Sequence, residues 1–388
     1  PSAGEFNWYS NAKFRDTNGW YHIVVAIDTT QSTASNRYKI YVNGEEISGT
    51  NSGIDLTQNS TSMIFGHSKH SIGNSYYNGS WESQYFDGLM SHVHCCYGYA
   101  YQASDFGETD STTGEWKIKT NLSVSYGSNG HFILKDGNST TDQSGNSKTF
   151  STTGTLTNTE DNPSNVFATI NGLFQPDPSN GTFSTTNGGL SFTTNFTSQS
   201  IMGVTTIGAT SGKYYAEFKL TGESGSGEAF AGIGYDIYDQ ATSSINADSS
   251  FMWNVCSNGA SKQGGSEQPS GNWSNLYTTN DIISIAMDLD NNRVYFAKNG
   301  QYADGSGNWD EAFTGSPAYA TITADKTYFF CAGDKSTSTN ASWTCNFGNG
   351  YFGTTAISSE GTNASGNGKF EYDVPTGYTA LSTKGLNE

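Results

Sequence analysis

Three groupings of residues in this chain have types and spacings that could do chemistry. His67, His70, His92 and His94 lie close in sequence, and the last two run into the pair Cys95-Cys96. Imidazole and thiolate together are zinc ligands. On one continuous strand, Met90, His92, His94 and Cys96 share a face, and Leu89, Ser91, Val93 and Cys95 share the other. That row reads as a contact surface in preference to a metal site, and no metal or cofactor is expected. A second grouping is Glu108-Thr109-Asp110-Ser111-Thr112-Thr113. Two carboxylates aimed into one cleft hydrolyse glycosidic bonds, but in a Glu-x-Asp-x-x-Glu pattern Thr113 stands where the last acid belongs, and the segment is rich in turn residues. The third is Asp288-x-Asp290-x-Asn292, which starts like a calcium loop; Arg293 replaces its glycine and Asn299 its final glutamate, so it reads as a hairpin turn. Gly222-Glu223-Ser224-Gly225 misses the nucleophile-elbow spacing by one position and has no helical pattern after it. No enzymatic activity is expected.

The remaining candidates are aromatic rings in turn-rich segments. Trp273, Tyr277 and Trp309, with Asn272 beside the first, lie between strands of the second half, and Tyr76, Tyr77 and Trp81 lie in a loop of the first. Exposed rings stack on sugar faces, and neighbouring amides hydrogen-bond hydroxyls. These seven are the expected binding residues. Trp253, on an apolar strand, reads as core.

The elements that must position them are strands. Of 388 residues, 14% are aromatic, 14% are charged and 46 are Gly, a composition that favours strands joined by turns. A helical i, i+3, i+4 apolar stripe never extends beyond about two turns. The formal net charge of -18, with only 18 Lys and Arg, excludes a phosphate-neutralising surface and so nucleic-acid binding. It equally disfavours anionic membranes, and without a run of about 20 apolar residues no membrane insertion is expected. Cys95 and Cys96 point to opposite faces and cannot bridge well, while Cys331 and Cys345 read as buried thiols among Phe329, Phe330, Trp343 and Phe347. That usage suits folding in a reducing compartment. With no signal peptide pattern and no Met at Pro1, a further N-terminal portion is expected.

One phrase occurs twice. WYHIVVAIDTT…NRYKIYVNG from Trp20 to Gly44 and DIISIAMDLDNNRVYFAKNG from Asp281 to Gly300 are each an apolar strand, a polar turn, a return strand and Asn-Gly. Alternation puts Ile23, Val25 and Ile27 on one face, and Ile283, Ile285, Met287 and Leu289 likewise. Asn-Gly supplies the positive φ of a tight turn. Strands are predicted at 21–28, 38–42, 62–66, 85–97, a short one at 131–134, then 190–192, 213–220, 229–235, 251–254, 281–288, 293–298, 328–333 and 342–347. The predicted organisation is a β-domain over 1–120, a Ser/Thr/Asn/Gly-rich linker over 121–165 and a second β-domain over 166–388.

At these motifs the chain resembles known families. GWYHIVVAIDTT…NRYKIYVNGEEI followed by YFDGLMSHVHCCYGYA resembles the second half of a concanavalin A-like (laminin-G-like) jelly roll. SGKYYAEFKL, AFAGIGYD, DIISIAMDLDNNRVYFAKNG, YFFCAG, WTCNFGN and YDVPTGYTAL, in that order, resemble a SPRY domain. The combination, with ASDFGETDSTTGEWK between, is similar to virion proteins of tailed bacteriophages, particularly fibre or appendage proteins. The resemblance implies an all-β chain of two antiparallel β-sandwiches, located in the virion and used for attachment. Its expected partners are other virion proteins, further copies of itself (a homo-oligomer such as a trimer), and a host-surface glycan or receptor. The alternatives are a capsid or tail decoration protein that binds only virion proteins, and a secreted glycan-binding or glycan-cleaving protein.

Overall fold

A computed structural model describes residues 6–387 apart from 17–18, 61–70, 75, 78–79, 82–84, 87, 112–113, 120, 136–138, 155, 157, 175–180, 197–200, 225–227, 240–248, 268–276, 305–307, 316–318 and 336–339. The predicted strand at 62–66, His67 and His70 lie outside the described residues. The chain is all-β: its one α-helix among the described residues is the single turn Ala103–Phe106. Among the described residues the strand pairs are antiparallel except that Tyr214 and Tyr215 run parallel to Thr379 and Ala380. Two compact units are present, Pro1–Leu156 and Thr157–Glu388.

The first unit is built on Ile23–Ile27 paired with Tyr38–Val42, extended by Glu45–Glu46. Alternation holds, but the core lies on the face opposite to the isoleucines. Val24 and Ala26 are buried with Tyr41, Ala103 and Phe106, whereas Ile23 and Val25 are 62% and 55% exposed. The turn-rich segment around Glu108 and Asp110 folds back: after Ala103–Phe106 comes a hairpin of Gly107–Thr109 with Trp116–Ile118, and the Trp116 indole donates to His22 Nδ1 at 2.9 Å.

The predicted strand over 85–97 is broken. Among its described residues only Val93–Cys95 is a strand, because His92 adopts a left-handed φ of 52°, so the single-face row from Met90 to Cys96 does not form. Val93–Cys95 pairs instead with His131–Ile133, the short strand expected within the linker, which is thereby tied to the first unit. Residues up to Leu156 therefore belong to the first unit. Polar side chains order this stretch where apolar ones are scarce. The Asp142 carboxylate accepts from the amides of Phe132 (3.0 Å), Ser144 (2.9 Å) and Lys148 (2.9 Å). Asn146 donates to the carbonyls of Gly127 (2.7 Å) and Gly130 (2.9 Å). Burial opposes ionisation of Asp142, yet those amides outweigh it and hold the carboxyl down at about 2.

The second unit is a β-sandwich. Among the described residues one sheet contains ten strands, with Ser191–Phe196, Ala341–Asn346, Lys213–Glu223, Ile282–Asp288 and Arg293–Lys298 as successive neighbours. The other has six, with Tyr328–Asp334, Ala229–Tyr235 and Met252–Cys256 at its centre. Phe218, Ile285, Phe296 and Trp343 from the first meet Ala231, Ile233, Val255 and Phe330 from the second. The predicted face of Ile283, Ile285, Met287 and Leu289 lies in this shared core. The outer faces are covered too. Phe370, Val374, Tyr378 and Ala380 of the C-terminal segment lie over Tyr215, Ala286 and Tyr295, and Ile237 packs with Phe230, Met252 and Cys331. A sheet buried on both sides reads as a continuous apolar run, as in Ala229–Tyr235.

Candidate functional site

The rings singled out in the second unit are structural where they are described. Tyr277 is 1% exposed, and its hydroxyl donates to the carbonyls of Ala229 (2.6 Å) and Val255 (3.0 Å). Trp309 is 7% exposed within the sandwich core. Neither offers a free face for stacking on a sugar. Tryptophan and tyrosine carry the largest apolar areas, and a sandwich consumes them. Trp253 is core, as expected. Asn272 and Trp273 lie outside the described residues. In the first unit, Tyr76–Tyr77 and Ser80–Trp81 form a short antiparallel pair, Tyr76 opposite Trp81.

Among the described residues, the strongly exposed rings are all in the first unit: Tyr9, Phe14, Tyr85, Phe86 and Tyr99. Tyr99 differs from the others in how it is supported. It is 49% exposed and lies nearly parallel on Tyr101, with centroids 5.4 Å apart and planes 12° apart. The Tyr101 hydroxyl is fixed by accepting from the Ser125 amide at 2.8 Å, and its ring meets the buried Phe106 edge-on at 6.0 Å. A column of rings thus runs from the core to the surface and presents Tyr99 as a flat, pre-positioned plate. Such a plate loses little entropy on contact and suits the C–H face of a sugar. The sequence signal was available in Tyr97-Gly98-Tyr99-Ala100-Tyr101, a tyrosine at every second position.

The other chemistry-bearing groups are engaged by their own neighbours. His94 stacks on Phe132 at 3.9 Å, and its Nδ1 lies 2.9 Å from the Tyr126 hydroxyl. Burial, helped by nearby His92, holds its pKa down to about 3. No three His, Cys, Asp or Glu side chains among the described residues converge as a metal site. None of the five cysteines forms a disulfide, and burial raises the thiols of Cys95 and Cys96 to about 11 and those of Cys331 and Cys345 further. Glu108 lies on a strand, not in the turn expected, and with Asp110 it flanks Lys117 at 4.0 and 2.9 Å. Asp288 binds Lys213 at 3.1 Å and Asn291, while Asp290 accepts from the Gly212 amide at 2.7 Å, as turn chemistry requires.

Residues 2–105 match a concanavalin A-like family. The matching description is the Concanavalin A-like lectin/glucanases superfamily, of laminin-G type. Tyr99 and Tyr101 lie within that match. Among solved structures, the SPRY domain of human HERC1 is similar at 20% identity, covering 44% of this chain and 95% of that one, with a TM-score of 0.32. The PSpry domain of TRIM65 is similar at 12% identity, covering 46% and 88%, also with a TM-score of 0.32. No curated protein matches the chain significantly.

Proposed function

We propose that this chain is a non-enzymatic attachment component of a tailed-phage virion, a fibre or appendage protein, which contacts host-surface glycan through its first unit. The observation that carries the reading is the Tyr99 plate, which lies within the segment similar to concanavalin A-like lectins and glucanases. The two buried rings of the second unit give that unit a different part: a closed scaffold. A single stacked tyrosine is a weak site, and many copies on one particle turn weak contacts into useful avidity. Binding to host cells or to a glycan array, by a multimerised full-length chain, tests the proposal. Tyr99→Ala should weaken binding about tenfold per site, equivalent to about 1.4 kcal/mol, with the thermal transition unchanged. Trp273→Ala is the matched comparison: loss there with retention in Tyr99→Ala would move the site to the second unit. Cleavage of a polysaccharide by the chain would overturn the non-enzymatic reading.

The exposed Ile23 and Val25 favour a second reading, in which the first unit docks on other virion proteins. Glycan-independent capture by purified virion proteins, weakened by Val25→Lys and not by Tyr99→Ala, would select it.

A further inference from the structure

In the second unit, one fully buried carboxylate is used by nothing in the attachment reading. Glu217 is 0% exposed, on the outer face of the Lys213–Glu223 strand beneath the C-terminal segment. Its Oε2 accepts from the Glu371 amide (2.9 Å) and Asn346 Nδ2 (3.1 Å), and its Oε1 from the Tyr372 amide (2.9 Å) and the Tyr215 hydroxyl (3.2 Å). Consecutive amides of the C-terminal segment are thereby clasped to the sheet by one side chain.

Two buried hydroxyls beside this clasp have no hydrogen-bond partner, those of Ser284 and Tyr302. Buried polar groups without partners are uncommon and call for a reason. Ser284 is the cross-strand partner of Glu217, and its hydroxyl is close enough to the Tyr215 phenol to ease ionisation there. Tyr302 is electrostatically coupled to Glu217. The titratable groups facing Glu217 are therefore Tyr215 on its own strand, Tyr302 from the sheet and Tyr372 from the C-terminal segment. The adjoining acids are occupied elsewhere: Glu371 binds Ser358, and Asp373 accepts from Thr362.

We propose that Glu217, Tyr215 and Ser284 form a hydrogen-bond switch that keeps the C-terminal segment clasped in either protonation state of the carboxyl. With Glu217 ionised, the Tyr215 hydroxyl donates to Oε1 and the Ser284 oxygen is left without a donor. When a proton from solvent settles on Oε1, that new O–H donates to the Tyr215 oxygen, and the phenolic hydrogen turns to the Ser284 oxygen. No covalent bond other than the new O–H is made, and the amides of Glu371 and Tyr372 keep their acceptors. Burial is the largest influence on Glu217 and outweighs its donors, raising its pKa to about 7. A raised acid binds its proton more tightly in the folded chain than in the unfolded one. Its stabilisation is full below about 4.5, the ordinary value, and is lost as pH rises through about 7.

The test is titration of the glutamate side-chain carboxyl carbons in the full chain by NMR, with Glu217→Gln assigning the resonance. The expected midpoint is near 7, and Ser284→Ala should lower it by roughly one pH unit, since the neutral form loses one hydrogen bond. Ser284→Ala removes only one small hydroxyl beside the Tyr215 phenol, so that variant should fold like the parent. A midpoint in the ordinary carboxylate range, or one that Ser284→Ala leaves in place, overturns the switch.

Discussion

At the scale of single residues, Tyr277 shows why a ring in a turn-rich stretch can mislead. Apart from Leu276 its near neighbours in sequence are polar, but its hydroxyl reaches two strand carbonyls across the sandwich. Exposure is a property of the fold and leaves no mark on the local sequence. Tyr277→Phe should cost about 1–2 kcal/mol of second-unit stability, and not more, because the Ala229 carbonyl keeps the Ser257 amide at 2.8 Å. Urea unfolding monitored by tryptophan fluorescence checks it, and binding by the native chain should not change. Tyr99 is the opposite case. Its spacing with Tyr101 was visible, but only the Ser125 and Phe106 contacts show that the pair is held still.

At the scale of elements, the repeated hairpin carries most of what the sequence could reveal. Arg293–Lys298 and Ala229–Tyr235 have the predicted bounds, and the other predicted second-unit strands differ mainly at their ends, because turn residues punctuate them sharply. Strands such as the polar Gly181–Thr186 and the short Ile201–Val204 escape prediction. Both Asn-Gly turns have positive φ at each position: 49° and 87° at Asn43-Gly44, 49° and 82° at Asn299-Gly300. Each Asn also accepts from a strand amide, His22 at 2.8 Å and Ile282 at 2.9 Å. Hidden from the sequence was what lies over the glycines. A Cβ on Gly44 would fall 2.4 Å from the Trp116 ring, and one on Gly300 2.7 Å from Tyr372. Gly300→Ala should therefore cost more than Gly377→Ala, which has a similar φ of 87° but open space around it. The expected costs are about 2–3 against about 1 kcal/mol by urea unfolding. Equal costs would show that the Tyr372 ring moves aside freely. The inner face of Ile23–Ile27 was illegible for a related reason. Ile-Val-Val-Ala-Ile is apolar on both sides, and the choice between them is made by Phe106, a residue far along the chain.

At the scale of the whole molecule, the two units carry buried titratable groups of opposite sign. His94, with its pKa lowered to about 3 by burial, stays neutral in the folded first unit while the unfolded chain takes up a proton near 6.5. His22, half-buried in the same unit, is lowered for the same reason. For such groups the stabilisation is full above about 6.5 and drains away as pH falls towards the folded value. Glu217 works the other way: its stabilisation grows as pH falls from about 7 towards 4.5. Between pH 7 and pH 5 the first unit should lose about 2 kcal/mol and the second should gain about as much, from roughly 1.4 kcal/mol per pH unit over which each group differs. Calorimetry at the two pH values should show the transitions moving in opposite directions, with Tyr277→Phe marking the second unit's. Parallel movement of both would mean that the summed surface charge of -18 outweighs the buried groups. Glu217→Gln separates these cases, because it should abolish the second unit's gain on acidification while leaving the first unit's loss intact.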